Sequence, residues 1–234
     1  MRYAVYFTPE QCSPLTIAAQ TWLGRDAFND EAVPVTGCDG LTAGDLWHYT
    51  AEPRRYGFHA TLVAPFHLAP GVTEQDLLQS MAGFAGTCVP FHIPRLEVAR
   101  LDNFYALAPA APCPQLDALA WSAVDHFNGL RAPLSDSEIR RRSLRDLSLR
   151  QVGYLMRYGY PYVRDEFRFH MTLTNSASCP PERLETALAN HFMPIIAAPV
   201  PVDSIALFVE RERDAPFTIH SMHRFGSAEA KKSG

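Results

Sequence analysis

The sequence predicts a duplicated α+β fold: two lobes whose antiparallel sheets face each other across a cleft, with helices packed on the outside. Residues 58–62 and 169–173 share the frame Phe-His-x-Thr-Leu. After each, the same order of strand, helix, strand and strand is legible. The spacing agrees, since Glu97 and Phe208 each lie 38 residues beyond their histidine, within predicted strands. An internal duplication inside a single two-lobed domain over 1–226 is the simplest account, with a small, charged and disordered tail over 227–234.

Residues 3–8 read as a strand stopped by Pro9. A helix follows over 14–23, with Ser13 as N-cap, Pro14 in its first turn and Gly24 as its stop. From 24 to 57 the chain is irregular and rich in Gly, Asp, Thr and Pro. It is either a lid over a site or an excursion with short strands of its own. The first His-x-Thr lies in a strand over 56–65, and Thr73 caps a helix reaching 84. Strands around 92–100 and 104–108 meet at Asp102-Asn103, and a helix over 116–127 closes at Asn128-Gly129. Ser135 with Glu138, and Ser148 with Gln151, have capping-box spacing and start two further helices. The second His-x-Thr lies in a strand over 167–174. A helix over 181–192 and strands around 202–210 and 217–225 complete the pattern.

With 234 residues, 47% of them hydrophobic and 20% charged, the chain can bury a sizeable core. A net charge of −4 gives no general attraction for nucleic acid or anionic lipid, so no long nucleic acid is expected as a partner. No apolar run approaches the roughly 20 residues of a membrane helix, and the N-terminal run is too short and aromatic for a signal segment. The five cysteines form no close pair, which disfavours a disulfide framework and a cysteine zinc site. A cytoplasmic protein without membrane contact is the expectation; composition leaves the oligomeric state open.

In a strand, residues i and i+2 share a face. His59 and Thr61 therefore project together, as do His170 and Thr172, while their apolar neighbours turn to the core. Two imidazoles and two hydroxyls suit the in-line cleavage of a phosphodiester. One histidine takes a proton from the attacking oxygen and the other gives one to the departing oxygen. The threonines can hold the non-bridging oxygens. This chemistry needs neither metal nor cofactor.

These strands resemble those of the two-histidine (HxT) phosphoesterase superfamily, whose members are bilobal α+β proteins with one motif per lobe. The strings Arg54-Arg55-Tyr56-Gly57-Phe58-His59-Ala60-Thr61-Leu62, Gly159-Tyr160-Pro161-Tyr162 and Glu166-Phe167-Arg168-Phe169-His170-Met171-Thr172-Leu173-Thr174 resemble a narrower branch, encoded beside phosphonate-degradation (C–P lyase) genes. The resemblance implies that His59 and His170 are the acid–base pair and that Thr61 and Thr172 bind phosphate. It also implies hydrolysis of a small cyclic phosphodiester, such as 5-phosphoribosyl 1,2-cyclic phosphate, so the partner is a small phosphorylated metabolite. Relatives often carry lysine where Val63 stands here, a departure that bears on substrate contact.

Arg54, Arg55 and Tyr56 are further substrate-binding candidates, for a second phosphate or a stacked ring, and Tyr6 is another on the N-terminal strand. Arg140, Arg141, Arg142 and Arg145 read as a solvated face rather than a phosphate patch. His220 and His223, three apart in a strand, are expected on opposite faces. Two rival readings are a non-catalytic nucleotide or sugar-phosphate binding module and a metal-dependent hydrolase with the histidines as ligands.

Overall fold

The structure is a computed structural model that describes residues 1–141, 146–177 and 182–226. The tail over 227–234, and Arg142 and Arg145, lie outside the described residues. The strands are β1 (Arg2–Phe7), β2 (Arg25–Asp26), β3 (Glu31–Ala32), β4 (Ala60–Phe66), β5 (Phe91–Ile93), β6 (Leu96–Leu101), β7 (Phe104–Pro109), β8 (Met171–Thr172), β9 (Val200–Val202), β10 (Ser204–Glu210) and β11 (Thr218–Arg224). The helices are α1 (Pro14–Leu23), α2 (Ala43–Tyr49), α3 (Ala51–Tyr56), α4 (Glu74–Thr87), α5 (Pro114–Phe127), α6 (Asp136–Arg141), α7 (Leu149–Tyr158) and α8 (Glu182–Ile196). No helix among the described residues is long and apolar enough to cross a membrane. Cys12, Cys38, Cys88 and Cys113 are free thiols.

Local chemistry sets the helix ends. Ser13 accepts from the Thr16 N–H, and Gly24 closes α1 in the left-handed conformation, φ 75°. Reciprocal capping boxes start α2 (Thr42 and Asp45), α4 (Thr73 and Asp76) and α7 (Ser148 and Gln151). Glu138 and Ser135 bond each other's backbone N–H in the same way at α6.

Seven strands form one antiparallel sheet in the order β11-β10-β1-β4-β8-β7-β6. The two sheets expected from the sequence are two wings of this sheet, β11-β10-β1-β4 and β8-β7-β6. They join at a single residue pair, Ala60 with Met171. The elements after each His-x-Thr run in one order, strand, helix, short strand, strand, strand, and the short strands β5 and β9 pair with each other. The strand pair following each motif lands in the wing of the other.

Helices cover one face: α4 lies against β10 and β11, α5 against β4, and α8 against β6. In β1, Tyr3, Val5 and Phe7 enter this main core, whereas Ala4 and Tyr6 turn to a smaller cluster with Ala206, Phe208 and Phe217 on the opposite face. Each large side chain buried this way contributes roughly 1.5–3 kcal/mol.

The irregular segment over 24–57 is the structured alternative rather than a loose lid. It contains β2, β3, α2 and α3, and it is stitched to β11 by hydrogen bonds from Ile219 N to Ala27 O (3.0 Å) and Phe217 N to Arg55 O (2.9 Å). The buried Arg25 guanidinium ties the carbonyls of Arg54, Arg55 and Phe217 together. Tyr56, predicted to open the first motif strand, lies with Arg54 and Arg55 in the last turn of α3, and β4 begins only at Ala60. The second motif strand is also shorter than predicted. The N–H groups of Leu173 and Thr174 both turn to the Tyr105 carbonyl instead of continuing a ladder.

Candidate active site

The seam between the wings brings the two motifs together. Ala60 and Met171 pair antiparallel and face the core. Alternation about this pair turns Thr61 and Thr172, the next residues of β4 and β8, to the uncovered face. The two histidines lie just before the strands that meet here, His59 before β4 and His170 before β8. Thr61 and His170 line one cavity of about 470 Å³.

Both imidazoles are held in the same way. The Nδ1–H of His59 donates to the Gly57 carbonyl at 2.9 Å, and that of His170 donates to the Arg168 carbonyl at 2.8 Å. Each bond fixes the tautomer and leaves Nε2 as the working atom. His59 Nε2 lies 3.3 Å from Thr61 Oγ1. The His59 ring stacks on Tyr6, centroids 3.8 Å apart and planes 20° from parallel, while Phe104 stands 5.6 Å from the His170 ring. Burial pushes His59 down to about 4, the hydrogen bond to Gly57 opposes this, and a charge on His170 lowers it further. Burial also lowers His170, against the bond to Arg168. Both shifts favour the neutral rings.

Gly57 makes this geometry possible. Its φ of 76° and ψ of 173° suit glycine alone, and a Cβ there would stand 2.6 Å from the Ala27 Cβ. Gly57→Ala should cost about 2 kcal/mol or more in stability and, by shifting the carbonyl that holds His59, lower turnover. Urea unfolding and steady-state rates check this.

Residues 61–218 match the family described as "Protein of unknown function (DUF1045)". The chain belongs to that family. The DUF1045 match includes Thr61, His170 and Thr172 and begins two residues after His59. This DUF1045 protein is 38% identical over 221 residues to the "Ribose 1,5-bisphosphate phosphokinase PhnN" of Janthinobacterium sp. (strain Marseille), covering 92% of this chain and 49% of that protein. It is 37% identical over 221 residues to the protein of the same name from Laribacter hongkongensis (strain HLHK9), covering 94% of this chain and 50% of that protein. The chain thus spans about half the length of these curated relatives. Among solved structures, a Thermus thermophilus protein aligns with a TM-score of 0.46 and 18% identity over 97% of this chain and 98% of its own. A structure described as a phosphoesterase aligns with a TM-score of 0.43 and 12% identity, covering 96% and 97%. These scores are too low to decide fold or activity.

Not every candidate residue of the DUF1045 chain reaches the seam. Tyr6 does, but beneath His59, and it is itself buried. Tyr56 borders the uncovered face, stacked on Phe217. Arg54 and Arg55 line a different cavity with Trp47 and Pro216. Arg54 stacks on Trp47, and Arg55 bonds Glu210 and the Ala215 carbonyl. Val63 would share the face of His59 and Thr61 under strict alternation. An irregularity in the β1–β4 register turns it into the core opposite Val5, so this position offers no substrate contact.

A second irregularity, in β10–β11, places Ile219 and Met222 on one face although they are three apart. His220 and His223 are not separated as alternation would require, and His220 adds to the lowering of His223 that burial begins. Among the described residues no three His, Cys, Asp or Glu side chains converge in a metal-binding arrangement. Sequence reasoning missed Phe104, Tyr160 and Tyr162 as cleft residues, and Arg2 beyond them. The available signals were the Gly-Tyr-Pro-Tyr string and the period-2 relation of Arg2 to Tyr6.

Proposed function

We propose that this protein hydrolyses a small cyclic phosphodiester on a sugar, a ribose cyclic phosphate, with His59 and His170 as the acid–base pair and Thr61 and Thr172 holding the phosphoryl oxygens. The observation that supports this reading is the meeting of the two motifs at the Ala60–Met171 pair, with both Nε2 atoms freed by Nδ1 bonds to carbonyls. A water oxygen attacks phosphorus and its proton passes to one neutral imidazole. The bond from phosphorus to one ring oxygen breaks, and the other imidazole, protonated, supplies that oxygen with a proton. The product is a phosphate monoester. A duplicated strand–helix–strand–strand unit accounts for the matching motifs.

The names of the two curated relatives support phosphoryl chemistry on a phosphorylated ribose, and they fit the resemblance to a branch tied to phosphonate breakdown. Those names belong to proteins about twice as long. This chain carries no Gly-x-x-x-x-Gly-Lys-Ser/Thr segment to cradle nucleotide phosphates, which favours hydrolysis over transfer from a nucleotide. Incubation with ribose 1,2-cyclic phosphates, followed by ³¹P signals, should give the ring-opened monoester, with turnover that survives EDTA. Unchanged substrate at high enzyme concentration ends this reading. Tight binding without product would assign a binding module, and ATP-dependent phosphorylation of ribose 1,5-bisphosphate would assign the relatives' named activity.

The pH dependence follows from the two lowered histidines. Catalysis needs one neutral and one protonated ring, so kcat/KM should be bell-shaped with its maximum below pH 6.5. A bound phosphoryl anion favours the charged rings, so the kcat bell should lie at higher pH than the kcat/KM bell. Steady-state profiles across pH 4–9 check both. Folding stability has the matching sign. A histidine lowered in the folded state contributes stability above the unfolded value near 6.5, and this is lost as pH falls toward 4.

A further inference from the structure

We propose that Arg168 is a further catalytic residue, whose guanidinium holds the non-bridging oxygens of the phosphoryl group as negative charge builds on them. This rests on the hydrolytic reading above and adds a cation to the groups that carry it out. The two histidines share one backbone device, a carbonyl two residues earlier that accepts from Nδ1, but the residues that supply it differ. In the first motif it is Gly57, where a φ of 76° and the nearby Ala27 Cβ exclude a side chain. In the second it is Arg168. Phe167, Phe169 and Met171 all pack in or against the main core, so Arg168 and His170 between them turn the other way. Both line the cavity that Thr61 also lines.

Charge gives this side chain its task. A cyclic phosphodiester brings a negative charge, and attack by water increases the charge on its non-bridging oxygens. Burial favours the neutral form of both imidazoles, so the rings alone do not balance it. Apart from His170, Arg168 is the one basic side chain among the residues that line this cavity. Other arginines of the chain are engaged: Arg2 and Arg55 share Glu210, Arg25 holds Asp30, and Arg150 holds Asp165. Among the described residues Arg168 enters no ion pair, and it is exposed. The carboxylates of Asp102, Asp146 and Glu166 line the same cavity, and Glu166 accepts from Gln151 Nε2 at 2.9 Å. These acids repel a phosphodiester unless a cation stands close to it, and the planar fork of Arg168 can grip two oxygens at once.

The test replaces the side chain and keeps the carbonyl that holds His170. Because the guanidinium is exposed, Arg168→Gln and Arg168→Ala should melt within about 2 °C of the wild type. On a ribose 1,2-cyclic phosphate, Arg168→Gln should lose roughly 10²–10³ in turnover, with the larger share in kcat rather than KM. Arg168→Lys should fall between the two. Millimolar guanidinium ion should restore part of the rate of Arg168→Ala, and sodium chloride at the same concentration should not. Calorimetry with inorganic phosphate reads the contact apart from the reaction, and Arg168→Gln should bind it roughly 10–100-fold more weakly than the wild type. Phosphate binding that depends on Arg168, with no hydrolysis by the wild type, would overturn the reaction and keep the contact. Hydrolysis that Arg168→Gln leaves within about threefold of wild type would overturn the contact and keep the reaction. A rate loss with a lower melting temperature and no rescue by guanidinium would make Arg168 structural and overturn its catalytic role. Neither hydrolysis nor Arg168-dependent phosphate binding would overturn both.

Discussion

His59→Ala and His170→Ala should each lower kcat on a cyclic phosphodiester by roughly 10²–10⁴, the usual worth of one positioned proton transfer. The two losses should not multiply in the double variant, because in-line displacement needs both protons handled in the same event. The histidines are partly buried, and each has one ring nitrogen committed to a backbone carbonyl. Replacement therefore removes the proton carrier and frees a carbonyl that water can reach, with modest cost to the fold. His59→Gln and His170→Gln restore a polar side chain that cannot shuttle protons, and should be as inactive as the alanine variants. Steady-state ³¹P assays alongside thermal melts separate chemistry from folding. Turnover within tenfold of wild type in either alanine variant would remove that histidine from the mechanism.

The parts of this molecule that local chemistry controls were legible in the sequence. Helix α1 runs from Pro14 to Leu23, as its cap and its glycine stop require, and the spacing of Ser148 and Gln151 marked the start of α7. The His-x-Thr pairs were legible for the same reason, since a two-residue period assigns a face without reference to the rest of the chain. The seam was not. One wing continues into the other through Ala60 and Met171 alone, and no pattern within either strand encodes that edge-to-edge join. Two facing sheets were therefore the natural expectation, and one continuous sheet is the outcome. Val63 escaped for a related reason: a register shift depends on the partner strand. Arg2 depends on Glu210, at the far end of the chain, to fix its guanidinium. The Arg-Arg-Tyr run looked more promising in sequence, yet α3 turns both of its arginines toward another cavity.

Trp22→Ala should cost about 3–5 kcal/mol of stability, because a fully buried indole is replaced by a cavity within the main core. The loss should also reach the active site. Trp22 Nε1–H donates to the Leu173 carbonyl at 3.0 Å, tying α1 to the second motif one residue beyond Thr172. The indole packs against Phe192 and His191 of α8, so the same side chain braces both the helix behind the motif and the motif's own backbone. With β8 only two residues long, few ladder bonds hold Thr172 and His170 in register. Trp22→Phe separates the two effects. It keeps most of the apolar volume but leaves the Leu173 carbonyl without its donor, a loss of about 1–3 kcal/mol. Urea unfolding should show a lower midpoint with an unchanged slope for both variants. Activity of the folded fraction should fall in Trp22→Phe as well as in Trp22→Ala. Full activity in folded Trp22→Phe would mean that the register of the second motif is held without this bond.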